Sequence, residues 1–222
     1  LCSLTENKSM SSLRPILFFL LCFLFVTAQS QQPQTSVSGY LDYFGQYYNE
    51  DDQIGAVVPE WDYSSNAFTY LNLARGEFKA GMRFESYLNP LAGYPVGFEG
   101  SGIGYRFVSW EKEGLEVTVG NFYEQFGSGM LLRSFEERTL GLDNALDGIR
   151  VRYRPFNGFK ITGIVAKQRA TFKDKLNNGN GVIRAIDGEL SLNEAFKSLN
   201  ESELRIDLGG SFVSKYNDDN KV

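Results

Sequence analysis

Apolar and polar residues alternate along most of the chain with the two-residue period of a strand, and no segment carries a dominant helical period. In Phe78–Ser86, Phe78, Ala80, Met82 and Phe84 share one face, while Glu77, Lys79, Gly81, Arg83 and Glu85 share the other. In Ile149–Arg154 the apolar set is Ile149, Val151 and Tyr153, opposed by Arg150, Arg152 and Arg154. Leu204–Lys215 repeats the pattern, with Leu204, Ile206, Leu208, Gly210 and Phe212 against Arg205, Asp207, Gly209, Ser211 and Lys215. The pattern predicts eight strands, at about 37–48, 66–74, 77–88, 101–110, 115–123, 147–154, 159–169 and 204–216. Several reach the length of a tilted membrane strand, about 9–11 residues, rather than the 5–6 of an ordinary globular strand.

The predicted connections alternate in length. Ala74–Gly76, Glu111–Gly114 and Pro155–Gly158 are tight and Gly-bearing, the last ending in the hairpin pair Asn157-Gly158. Segments 49–65, 89–100, 124–146 and 170–203 are long. Short turns at one end and long loops at the other characterise outer-membrane barrels. The fold expected is therefore all-β, an antiparallel transmembrane β-barrel. The polar tail from Asn217 to Val222 reads as a turn leading onward, so about eight strands of an incomplete barrel are expected here.

The N-terminus adds an export reading. Leu1–Ser9 read as upstream translation and residues 10–30 as a cleaved signal peptide. Met10 is the start, Arg14 the positive region, Ile16–Val26 the apolar region and Ala28-Gln29-Ser30 a small-x-small cleavage site. The apolar run is 11 residues, against roughly 20 for a spanning helix. Residues 31–222 then form the N-terminal part of one barrel domain, with the cell outer membrane as the expected location.

Both cysteines, Cys2 and Cys22, precede residue 31, and the chain has no histidine. No disulfide framework is expected in the mature part. Ser-His and Cys-His relays and His-based metal sites are excluded from this stretch, so no enzyme activity, cofactor or metal is expected. The acidic runs Glu50-Asp51-Asp52 and Asn217-Asp218-Asp219 offer oxygen ligands for calcium, although such runs are more often solvated turns. Setting aside Glu6, Lys8 and Arg14 leaves 26 acidic and 20 basic residues, a net charge of −6, which argues against a nucleic-acid partner. Aromatics at 14% and 23 glycines, in a chain of slightly polar mean hydropathy (−0.26), suit strands with one greasy and one wet face. Trp110 and Tyr123, near strand ends, fit an aromatic girdle.

The charged faces suggest lumen chemistry. Arg150, Arg152 and Arg154 share one face, joined by Arg83 and Arg106, and Arg133 and Arg138 lie in the long segment 124–146. One reading is an anion-attracting wall; the other is a wall of compensating pairs with Glu77, Glu85 and Glu116. Segment 124–146 itself is either folded into the lumen as a constriction or packed on the rim. Its glycines lack the Lys-Ser/Thr ending of a phosphate-binding loop.

The stretch Gly120–Arg133, with Arg138, Gly141-Leu142-Asp143-Asn144 and Asp147-Gly148-Ile149-Arg150, resembles an uncharacterised family of exported barrel-like proteins from Bacteroidota. Phe78–Pro90 resembles another part of that family, and the likeness runs from about residue 37 to the end. There is a weaker likeness to capsule-assembly barrels and porins. The resemblance implies a location and a fold but no catalytic residue. The partners expected are outer-membrane lipid and either small solutes passing a pore or surface glycans held by a non-transporting barrel. A soluble secreted β protein is the third reading, disfavoured by the alternating faces and the loop order.

Overall fold

The computed structural model describes residues 34–55, 58–95, 97–172, 177–179 and 181–217. Residues 1–30, read above as upstream sequence and leader, fall outside them, as do Asp218 and Asp219. The described residues from Thr35 onward belong to one compact unit.

The unit is built on antiparallel strands. They are β1 (Thr35–Tyr47), β2 (Tyr63–Arg75), β3 (Phe78–Leu88), β4 (Gly100–Lys112), β5 (Leu115–Phe122), the short β6 (Glu136–Glu137) and β7 (Leu142–Asp143), β8 (Leu146–Tyr153), β9 (Phe159–Thr171), the short β10 (Asn177–Asn178), β11 (Val182–Ser191) and β12 (Asp207–Tyr216). A four-residue helix, α1 (Leu192–Ala195), follows β11. Nine strands form one sheet in the order β1-β2-β3-β4-β5-β8-β9-β11-β12, with β10 attached to β9 and β6 paired with β7 as a separate hairpin. Among the described residues the sheet is open, with β1 and β12 at its edges. All eight expected strands are present.

The ninth, β11, falls inside the expected loop 170–203. Its sequence, Val182-Ile183-Arg184-Ala185-Ile186-Asp187, hides the alternation because both faces carry apolar residues. Ile183 and Ala185 pack inward against Leu146 and Ile164, while Ile186 is exposed. The extra strand also ends the expected regularity of the connections. The stretch from β11 to β12 lies at the end of the sheet that carries the tight turns, yet spans residues 192–206. The Asn193 side chain shapes it, donating to the carbonyls of Leu199 and Leu204 and accepting from the Ile206 amide.

The faces of the sheet are chemically inverted relative to a water-soluble sandwich. Leu71, Val108, Val119, Ile149, Val165, Ile186 and Phe212 each leave about half or more of their surface exposed, from 48% to 65%. They lie on one face, because the register pairs Val108 with Val119, Val119 with Ile149, Ile149 with Val165 and Ile186 with Phe212. The opposite face buries Arg83, Glu85, Thr118, Thr162, Arg169 and Asp187. The sheet curls around that polar face. Arg169 on β9 hydrogen-bonds Glu85 on β3, four strand positions away. Two apolar clusters fill the inside. One gathers Phe122, Phe126, Leu132, Leu146, Ile164 and Ile183, and the other Phe68, Tyr87, Phe98 and Phe172.

Candidate functional site: two ionic clusters on the inner face

The connection from β5 to β8, residues 123–145, folds inward onto the concave face. Phe126 and Leu132 are buried against the β8, β9 and β11 side chains of the first apolar cluster. The hairpin β6–β7 delivers Asp143 between β3 and β9. The Asp143 carboxylate accepts from Arg83 Nη2 at 2.5 Å, Arg169 Nη1 at 2.6 Å and Tyr123 Oη at 2.9 Å. Glu85 completes the centre, accepting from Arg83 Nε at 2.7 Å, Arg169 Nη2 at 2.7 Å and Tyr87 Oη at 2.8 Å. Arg169 and Glu85 are both fully buried. Arg169 lies over the rings of Phe98 and Phe172, and Arg83 over those of Tyr70 and Tyr105. Aromatic faces replace part of the hydration these guanidiniums give up.

Gly104 makes room for this centre. A Cβ there would collide with the Glu85 carboxylate. It is also the extra residue of a bulge, because Arg83 pairs with Tyr105 and Phe84 with Ile103. Further toward β1, Glu136 pairs with Arg83 at 2.9 Å and with Arg138 at 3.1 Å, and Arg138 reaches Asp42 at 2.6 Å. Glu136 lies on the infolded connection. Burial, together with Asp143 and Glu85, outweighs the pull of Arg83 and Arg169 and pushes its carboxyl up to about 7.

A second cluster lies on β5 and β8. Arg150 contacts Glu116 at 2.6 Å and Glu124 at 3.1 Å, and Arg152 contacts the same two at 3.1 and 2.6 Å. Two guanidiniums and two carboxylates thus close a square, and Thr118 Oγ1 donates to Glu116 at 3.2 Å.

The expected site residues separate. Arg83, Arg150 and Arg152 lie on the inner face, each paired with carboxylates. The Glu85 and Glu116 partners are those anticipated, whereas Glu77 pairs with Lys112 at a turn, where that ammonium and the Trp110 indole N–H hold its carboxyl below the usual range. Arg138 joins the first cluster. Arg133 is exposed over the Phe135 ring. Arg154 lies just past the end of β8 beside a surface cleft of about 1060 Å³ shared with Phe156, Glu189 and Asp207, so it does not continue the Arg150–Arg152 column.

Arg106 requires a correction. It keeps the phase of Trp110 and Val108, so regular alternation from the Glu111–Gly114 turn sets it opposite Met82, on the apolar face, with its side chain 53% exposed. Tyr123 requires another. Phe122 keeps the inward phase of Thr118, β5 ends there, and Tyr123, at the start of the infolded connection, turns inward as well to stack on Tyr105 instead of joining a girdle. Asp51 caps its own turn by accepting from the Gln53 amide, and among the described residues no group of three or more acidic side chains is placed to hold a metal.

Arg169 was not singled out by the sequence, and Asp143 and Glu124 entered only within the family-like stretches, without a role. Arg169 has the odd number of the outward-facing Val165, but β9 leaves its pairing with β8 at Gln168 and the side chain turns in.

A family model described as a family of unknown function (DUF6029) matches residues 10–222. The chain belongs to that family. The match spans both the expected leader and every strand of the sheet, so both ionic clusters belong to the family domain. No curated protein and no solved structure matches the chain.

Proposed function

We propose that this member of the family is an outer-membrane β-barrel protein, with the exposed apolar face of the sheet turned to lipid and the polar concave face turned to the lumen. The observation that carries the reading is the inversion itself: ranks of half-exposed aliphatic side chains outside, and a fully buried Arg–Glu centre inside. In water such an outer face would be an aggregation surface. In a bilayer it is the required solvent contact, and the strand ladder satisfies the backbone groups of every strand between the edges β1 and β12. The leader expected at residues 10–30 supports delivery to the envelope.

Within that reading, the geometry favours a non-transporting surface barrel, for envelope assembly or glycan binding, over an open pore. Each arginine of the inner wall that could attract anions is paired with carboxylates, and the β5–β8 connection occupies the space between β3 and β9. A neutralised, filled lumen braces a wall and raises no local anion concentration. Neither cluster contains an activated nucleophile, and no catalytic role is proposed.

Two measurements test this. The protein is expected in the outer-membrane fraction and resistant to alkaline extraction; recovery as soluble periplasmic protein would overturn the membrane reading. Reconstituted in planar bilayers, it is expected to show no steady conductance. Stable single channels, with an anion preference lost on replacing Arg150 and Arg152 by Gln, would instead establish the pore.

A further inference from the structure

The outer face is not apolar throughout. On β8 its residues run Tyr153, Val151, Ile149 and then Asp147; on β9, Ile161, Gly163, Val165 and then Lys167; on β11, Leu190, Gly188, Ile186 and then Arg184. All three runs change from apolar to charged at the same end of the sheet, the end that carries the connections 48–62, 89–99 and 123–145. Asp147 and Lys167 are register partners on neighbouring strands. From β4, Arg106 reaches across β5 to Asp147 at 3.8 Å; the β5 residue opposite Asp147 is Asn121, whose Oδ1 accepts from the Arg106 amide. Lys167 and Arg184 are exposed and Arg106 is more than half exposed. Arg106 and Lys167 thus neighbour Asp147, and Arg184, opposite Val165 and level with Ile149, follows one step along β11 on a face that is otherwise aliphatic.

Two apolar clefts flank this band and share Ile149 as their dividing wall. One, about 650 Å³, lies between Leu73, Met82, Val108 and Val119, with Arg106 and Asp147 at its rim. The other, about 430 Å³, is floored at Gly163 and bounded by Val165, Ile186 and Phe212, with Arg184 at its rim. A cationic rim over paired greasy grooves is complementary to one chemical class, an anionic amphiphile with more than one acyl chain.

We propose that the outer face of β4–β11 is a docking site for a phosphate-bearing membrane lipid, its phosphate held by Lys167 and Arg184 on the adjacent strands β9 and β11, its acyl chains lying in the two clefts, and Arg106 adding positive charge at the rim of the farther cleft. This rests on the membrane reading above and deepens it by naming a lipid class. The excess of two positive charges supplies the attraction. The clefts add apolar contact that a flat barrel wall would not provide. Charge at this height is tolerated because long basic side chains extend toward the headgroup layer.

The test uses the full chain in phosphatidylcholine nanodiscs doped with a small fraction of phosphatidylglycerol, with bound lipid read by native mass spectrometry. Wild type is expected to retain phosphatidylglycerol in preference to phosphatidylcholine. Replacing Lys167 and Arg184 together by Gln is expected to weaken that retention by about tenfold or more, since each basic group near a membrane surface contributes on the order of 1 kcal/mol. Lys79→Gln, a cation on the polar face paired with Glu111, serves as the control and is expected to leave retention unchanged. Equal retention of both lipids by wild type, or retention untouched in the double variant while its β circular dichroism is intact, would overturn the site but leave the barrel reading standing. Failure of wild type to enter nanodiscs at all would overturn both.

Discussion

Removing Arg169 should be among the most damaging single changes in the protein. Its guanidinium makes three carboxylate contacts, to Glu85 at 3.1 and 2.7 Å and to Asp143 at 2.6 Å, and it is fully buried. Hydrogen bonds to charged groups contribute about 1.5–3 kcal/mol each. The larger effect is what remains behind. Arg169→Met keeps the volume and the contact with Phe98 and Phe172 but leaves Glu85 and Asp143 sharing Arg83 alone, with both carboxylates out of water. Breaking a buried ion pair by deleting one partner typically costs about 3–5 kcal/mol, which is the loss expected here. Glu85→Gln combined with Arg169→Met removes the charge imbalance and should recover a substantial part of it, giving a coupling energy of more than about 1 kcal/mol in a double-mutant cycle. The assay is urea unfolding of detergent-folded protein, followed by tryptophan emission and checked by protease resistance. A loss below about 1 kcal/mol for Arg169→Met would refute the reasoning, since it would mean that water reaches Glu85 and Asp143.

Other outcomes are expected from the same geometry. Phe84→Arg places a charge on the apolar face and should impair bilayer insertion by about 2–4 kcal/mol, read as the fraction folded into vesicles; Arg83→Phe should insert its outer face normally yet lose stability through Glu85 and Asp143. Gly104→Ala drives a methyl group into the locked Glu85 carboxylate and should cost about 1–3 kcal/mol in the same urea assay, as overpacking does. Glu136 binds its proton more tightly in the folded protein, with a carboxyl pushed up to about 7 against an ordinary 4.5. The folded state therefore holds more protons between those values, and stability from this group falls as pH rises from about 4.5 to 7. Glu136→Gln should accordingly be more stable than wild type at pH 8 by about 2 kcal/mol and nearly equal to it at pH 4. A difference between the two that stays constant with pH would contradict this. The paired state of Arg150 and Arg152 predicts that Glu116→Gln costs stability and creates no channel, measured by unfolding and planar-bilayer recording in parallel.

Much of this protein is written in its alternation. A strand forces neighbouring side chains to opposite faces, so Phe78–Ser86 and Ile149–Arg154 fix both the existence of β3 and β8 and which of their residues share a wall. The tight turns at Gly76, Gly114 and Gly158 are equally local, since each uses a positive φ that glycine adopts without cost. That logic fails where the period is broken or masked. Tyr123 turns inward because β5 ends at Phe122 and the chain folds in, and β11 is concealed because Ile183 and Ala185 are as apolar as Ile186, whereas Arg106 lies on the apolar face in plain phase with Val108 and Trp110. Partner choice for the charges lay further still from the sequence. Glu85 and Arg169 are 84 positions apart, and only the curl of the sheet brings β3 opposite β9. Only the infolding of residues 123–145 delivers Asp143 to the pair. Local sterics decide strands and turns, whereas the pairing of buried charges is settled by sheet curvature and loop packing, where desolvation demands a partner from whichever element the fold places within reach.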